Sequence, residues 1–334
     1  MRFRRVSALL IVATLTAGFS FLTAGCGSGD GKPPGGGTPP VGEPIARPDW
    51  RSVSTLPSQP RRLWTFLVYM NAANNLEEFS GLNINQMETL GPTDTVNLVV
   101  QVKKPANRYD PNSTDWNNTA TRRFLIQKDG NTGRIGSPVL LEKEGVDAGK
   151  AETLQEFIQW GIRSFPAERY CLVVWNHGAG WRSVKTPGAT SRGVSYDDQT
   201  GNNINTIELP AAIDMGGGRK WDLLAWDSSL MQITEVAYEV RDKATLIVGS
   251  EESPPGEGYP YDHFLPRLTA KPDMSARDLA FAIADDTLEA YSVASNVTQS
   301  VLDTSKIEPV VAAVNGLGMA LLKATPQYGS AIAA

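Results

Sequence analysis

The chain has 334 residues, of which 41% are hydrophobic and 20% charged, and its formal net charge is −5. That balance excludes a disordered chain, because there is enough apolar surface to bury a core, and the length suits one large domain or two ordinary ones. No basic block or stripe occurs, which argues against a nucleic-acid partner. Two cysteines, Cys26 and Cys171, make no disulfide framework. Two histidines, His177 and His263, leave only two candidates for any imidazole base.

The first element is a targeting segment. Arg2, Arg4 and Arg5 precede the apolar run Ala8 to Leu22, which ends in small residues. Leu22-Thr23-Ala24-Gly25-Cys26 resembles the bacterial lipobox, with Thr23 where leucine is usual. The resemblance implies a lipoprotein signal peptide over 1–25, lipid on Cys26, and an exported protein held at the bacterial cell envelope. A plain cleaved signal peptide and an uncleaved anchor are the other readings. Residues 26–60 are rich in Gly and Pro without apolar periodicity, as expected of a tether. No later segment is expected to span a bilayer.

From Arg61 the texture changes to that of a folded domain, 61–334, which lacks a clear terminating signal and is read as incomplete at its C-terminus. Strands are expected at Leu63–Met70, Val96–Val102, Tyr170–Trp175, Trp221–Trp226 and Thr245–Gly249. Helices are expected at Leu76–Leu90, Ala151–Phe165, Leu209–Met215, Met231–Lys243 and Ala276–Tyr291. Thr121–Gln127 and Gly136–Leu141 read as an antiparallel excursion around the Asp129-Gly130 turn. Continuous apolar strands alternating with helices indicate an α/β fold, a mainly parallel sheet flanked by helices on both faces. Neither a GxGxxG nor a P-loop is present to hold a nucleotide.

Functional residues of such sheets gather beyond the carboxyl ends of the strands. Two strand ends stand out. Trp175-Asn176-His177-Gly178-Ala179-Gly180-Trp181 places a histidine on a glycine-rich loop. Trp226-Asp227-Ser228-Ser229-Leu230-Met231 places small hydroxyl residues where the next helix is expected to begin, near amides able to stabilise an anion.

This pair of strand ends resembles the clostripain-like cysteine peptidases, which share the caspase-type α/β fold. Tyr69-Met70-Asn71-Ala72-Ala73-Asn74-Asn75-Leu76, Glu235-Val236-Ala237-Tyr238-Glu239, Gly249-Ser250-Glu251-Glu252 and Pro255-Gly256-Glu257-Gly258 agree in order and spacing, so the resemblance covers Leu63 to Leu322. It implies peptide-bond cleavage after Arg or Lys, with His177 as base and the amides near Gly178 and Ser229 as oxyanion hole. It also implies an acidic pocket for a basic P1 side chain, formed by Asp227 with Glu252, Glu257 and Glu251. Asp227 reads equally as a helix N-cap, and the glutamates as solvated loop residues. His263 reads as a surface or packing residue and Cys171 as a small core residue. Asp197-Asp198-Gln199-Thr200-Gly201-Asn202 has oxygen ligands for calcium but lacks EF-hand spacing, so a turn is expected there. Calcium is the only cofactor left open, and no metal site is assigned. Arg182, Lys185 and Arg192 lie in a polar loop of the kind that the family cuts after basic residues during self-activation.

The departure is at the nucleophile. Ser228-Ser229 stands where the family has Ala-Cys. A thiol with a pKa of about 8.5 is partly ionised near neutrality, whereas a serine hydroxyl needs a well-oriented base as it attacks. No carboxylate is evident to orient His177. The expectation is therefore a weak or inactive peptidase. The alternatives are a pseudopeptidase that binds basic peptides or a protein partner, a serine-using enzyme, an engineered cysteine-to-serine change, and a structural envelope lipoprotein.

Overall fold

The computed structural model describes residues 50–56, 58–90, 93–105, 120–181, 192–293 and 297–333. Cys26, Arg182 and Lys185 lie outside the described residues. In chain order the elements are β1 (Arg51–Ser52), β2 (Arg62–Asn71), α1 (Glu77–Glu88), β3 (Val96–Lys103), β4 (Thr121–Leu125), β5 (Val139–Lys143), α2 (Ala151–Ser164) and β6 (Ala167–Trp175). There follow β7 (Val194–Asp197), β8 (Asn202–Ile204), α3 (Leu209–Ala212), β9 (Trp221–Asp227), α4 (Thr234–Val240), β10 (Ala244–Gly249), α5 (Tyr261–Ala270), α6 (Ala276–Ala290), β11 (Ser300–Asp303) and α7 (Ile307–Ala333).

Nine strands form one sheet in the order β1-β5-β4-β3-β2-β6-β9-β10-β11, and β7 and β8 make a separate hairpin. The five central strands from β3 to β10 run parallel, and the outer pairings are antiparallel. Alternate residues of β2 enter opposite cores. Trp64, Phe66, Val68 and Met70 join residues of α1, α5 and α6, while Leu67 and Tyr69 join residues of α2, α3 and α4. Burial on both faces is why these strands read as uninterrupted apolar runs.

Four expectations need correction. Folding does not begin at Arg61. Trp50 stacks on the Arg123 guanidinium at 3.7 Å, and β1 pairs with β5, so the body starts inside the stretch read as tether. Helix α4 starts at Thr234, because Met231 and Gln232 are spent on a buried turn whose Gln232 amide bonds to the Ser250 carbonyl at 3.2 Å. The stretch Thr304–Ile332 is long and apolar enough to cross a membrane, contrary to the expectation of no later span. Finally, the helix at Leu209 stops at Ala212. One unit ends at Ala312; from Ala313 the chain belongs to a second unit, in which α7 runs to Ala333 with a break in helical geometry at Tyr328 (φ −123°, ψ 17°).

Candidate active site

Strands β6 and β9 are parallel neighbours, with Trp175 opposite Asp227. His177 and Ser229 are therefore each two residues beyond a matched pair, which brings the two loops together at the carboxyl edge of the sheet. The Asn176 amide donates to the Asp227 carbonyl at 3.2 Å. Gly178 then passes so close to the second loop that a Cβ there would collide with the Ser229 carbonyl and lie 2.8 Å from Cγ of Met231. Only glycine permits that approach.

The hairpin β7–β8 holds the first loop from outside. Gly178 bridges to Val194, Ala179 donates to the Gly193 carbonyl at 2.9 Å, and Ser195 donates to the His177 carbonyl at 3.3 Å. On the other side, the Leu230 amide bonds to the Glu252 carbonyl at 3.2 Å, and Leu230 itself adopts a left-handed φ of 62°. Among the described residues, neither the Gly178 amide nor the Ser229 amide has a backbone acceptor.

His177 is half-buried, and burial holds its imidazole below the ordinary histidine pKa while the Asp198 carboxylate acts against that shift. Its Nε2 lies 2.7 Å from Oδ1 of Asn75. Ser229 is half-buried, whereas Ser228 is buried with its Oγ lacking a hydrogen-bond partner among the described residues. Ser229 lies in an irregular turn five residues before α4, so the expected helix N-terminus does not stand behind it.

Asp227 is not an N-cap. Its carboxylate, 6% exposed, accepts from the Tyr259 amide at 3.0 Å and from the Tyr261 hydroxyl at 2.8 Å. Burial outweighs those bonds and pushes its pKa up to about 7. Gly258, at φ 69°, covers it; a Cβ there would lie 2.8 Å from Oδ1. Glu252 and Glu257 are exposed on the loop after β10, and the Glu257 carbonyl accepts from Nδ2 of Asn83 at 2.8 Å. The structure therefore joins Asp227, Gly258 and the neighbouring Tyr291, which donates to the Gly258 carbonyl at 2.6 Å, into one niche, with the two glutamates at the surface.

The remaining candidates lie elsewhere. Cys171 is fully buried in β6, where burial pushes its thiol well up. His263 is exposed on α5. Asp197 is paired with Nζ of Lys103 at 2.5 Å and accepts from the amides of Ala148 (3.0 Å) and Gln199 (3.1 Å), so it closes the β7–β8 turn. Among the described residues no group of three or more His, Cys, Asp or Glu side chains could hold a metal. Sequence reasoning missed Asn75 as the partner of His177; it had placed Asn75 only within a matching motif.

Residues 68–330 match the model of the clostripain family. Clostripain of Hathewaya histolytica is 28% identical over 226 residues, which are 62% of this chain and 42% of that protein, so the chain spans less than half of that relative's length. A secreted C11 cysteine protease from Bacteroides thetaiotaomicron, solved with an irreversible peptide inhibitor, superposes with a TM-score of 0.58 at 23% identity, over 75% of this chain and 69% of that one. An inactive zymogen C11 protease from Parabacteroides distasonis gives 0.56 at 21% identity, over 76% and 65% respectively. At these identities the structural likeness concerns the fold, a caspase-like α/β sheet flanked by helices. The family match over most of its length carries the rest: this chain belongs to the clostripain family of cysteine peptidases.

Proposed function

We propose that this domain is a peptidase site disarmed at one atom, which binds peptides with Arg or Lys at P1 and cleaves them slowly or not at all. The observation that carries the reading is the packing of the Ser229 turn against the His177 loop, with the Gly178 and Ser229 amides left without backbone acceptors among the described residues. His177 is the base, Ser229 stands at the nucleophile position, and Asp227 is the buried anion that would attract a basic side chain. Glu252 and Glu257 add negative charge at the surface of the same region. The oxygen nucleophile must lose its proton as it attacks, and the imidazolium that forms has an amide partner, Asn75, rather than a carboxylate. Replacing the orienting carboxylate of a serine triad by an amide lowers turnover by about 10⁴. Binding needs none of this chemistry, which supports a role for the cleft in holding basic peptides or a protein partner.

The test compares the protein with its Ser229→Cys variant on Arg- and Lys-terminated fluorogenic peptides. The variant should cleave at least ~10³-fold faster than the native protein, and His177→Ala should abolish that gain. Native cleavage that Ser229→Ala stops, at a rate comparable with the cysteine variant, would overturn the disarmed reading in favour of a serine enzyme. The relatives solved from Bacteroides thetaiotaomicron are described as secreted. Together with the leader and Cys26, this supports export and lipid attachment at the cell envelope for this chain.

A further inference from the structure

The two nitrogens of His177 are not equivalent. Nε2 faces Oδ1 of Asn75 at 2.7 Å; with that oxygen as the acceptor, the contact needs a proton on Nε2. Nδ1 is then the nitrogen with a free lone pair. Asn75 comes from the β2–α1 connection, 102 residues before His177.

That connection is braced rather than loose. Oδ1 of Asn71 accepts from the Ala73 amide at 3.1 Å while its Nδ2 donates to Oγ of Ser195 at 3.1 Å. Oδ1 of Asn74 accepts from the Leu76 amide at 2.9 Å while its Nδ2 donates to the Tyr196 carbonyl at 2.9 Å. Asn176 donates to the Asn71 carbonyl and accepts from the Tyr196 amide at 2.7 Å. Three chain segments, the exits of β2 and β6 and the strand β7, are cross-linked by asparagine side chains. Asn75 is flanked by Asn74 within this frame and reaches out of it to the histidine. The nearby charge is Asp198, whose amide is bonded to the Ala73 carbonyl at 2.9 Å.

We propose that Asn75 is the positioning residue of the site: it holds the His177 ring with the proton on Nε2, so that Nδ1 accepts the proton of residue 229. This rests on the reading of His177 as base. In the step it serves, the Oγ–H or Sγ–H bond of residue 229 breaks as the new bond to the peptide carbonyl carbon forms, the proton passes to Nδ1, and the carbonyl electron pair moves onto its oxygen.

Histidine NMR on the full chain tests the placement without any turnover. Only two histidines contribute, and His263, exposed on α5, serves as internal reference. Neutral native His177 should carry its proton on Nε2. Asn75→Ala should mix the two tautomers and lower the His177 midpoint, whereas Asn75→Asp should raise it by about one unit or more, with His263 unmoved in both. Asn75 is exposed, so neither change disturbs the core. A native ring protonated on Nδ1, or one midpoint shared by all three proteins, would overturn the proposal. In the Ser229→Cys background, the pH profile of thiol alkylation should follow the same midpoints. If alkylation ignores His177→Ala while the NMR pattern holds, the role of His177 as base fails and the placement by Asn75 stands.

Discussion

At the scale of single residues, Asp227 is the group whose ionisation has the widest consequences. Its pKa of about 7 exceeds the ordinary aspartate value near 4 because burial outweighs the bonds from Tyr261 and Tyr259. Between those values the folded state keeps a proton that the unfolded chain has released. Stability therefore falls as pH rises from about 4 to about 7 and is flat above, by at most ~4 kcal/mol. Asp227→Asn should remove that slope, so thermal melts of the native protein and the variant should diverge across this window and run parallel above it. Parallel melts throughout would mean that the carboxylate is better solvated than its enclosure suggests. Binding has the opposite dependence. An Arg-terminated peptide should bind the Ser229→Ala protein more tightly as pH rises through about 7, and Asp227→Asn should flatten the curve; an affinity that calorimetry finds independent of pH would remove Asp227 from the recognition of charge.

At the scale of elements, the site depends on how closely two loops approach. Gly178→Ala must displace either the Ser229 carbonyl or the Met231 side chain. An overpacked contact of this kind destabilises by about 1–3 kcal/mol, and it should also lower the turnover of the Ser229→Cys protein at least tenfold, about what a misplaced reacting atom costs. Melting and kinetics on the double variant check both. A second contact sits on β4, toward the β1 edge of the sheet. Arg123 is 1% exposed, bonds to Gln101 at 2.7 Å and lies under the Trp50 ring, so a chain that starts at Arg61 uncovers a buried cation. Such a chain should be less stable than one starting at Trp50 by ~2 kcal/mol, and Trp50→Ala should account for most of the loss in denaturant titrations. These elements also mark what was legible beforehand. The five parallel strands were readable because both faces are buried, and His177 because it follows one of them directly. Strand β1 was not, since Arg51-Ser52 carries no apolar pattern and is held by partners far along the chain, Glu142 and Leu141 in β5. The start of α4 was misread because Met231 owes its burial to the turn. Asn75 could be placed in a motif, but its contact with His177 exists only in three dimensions.

For the whole molecule the open choice is between two anchors, lipid on Cys26 and the apolar stretch Thr304–Ile332. The first turns of that stretch are committed to the body. Thr304 Oγ1 bonds to the Ala244 carbonyl at 2.8 Å, Ile307 is 2% exposed within the core, and Glu308 pairs with Arg241 at 2.9 Å. What remains is not one straight rod: the helix breaks at Tyr328 (φ −123°, ψ 17°), and the regular part before it, Ala313 to Gln327, measures roughly 22 Å at 1.5 Å per residue, short of the ~30 Å of a hydrocarbon core. Lys323 lies within it, and a lysine in the middle of a span opposes insertion by about 2.5–3.5 kcal/mol. Asn315 and Pro326 weaken it further as a span, which favours the proposed lipid on Cys26 as the anchor. Expressed in a bacterial host, the full chain should sediment with membranes, and its N-terminal peptide should carry acyl mass on Cys26. Exchange of residues 1–26 for a cleavable leader without a lipobox should release the protein in soluble form. If the exchanged protein instead resists alkaline extraction until the chain is cut back to Ala312, the helix holds it in the membrane and the lipid is dispensable.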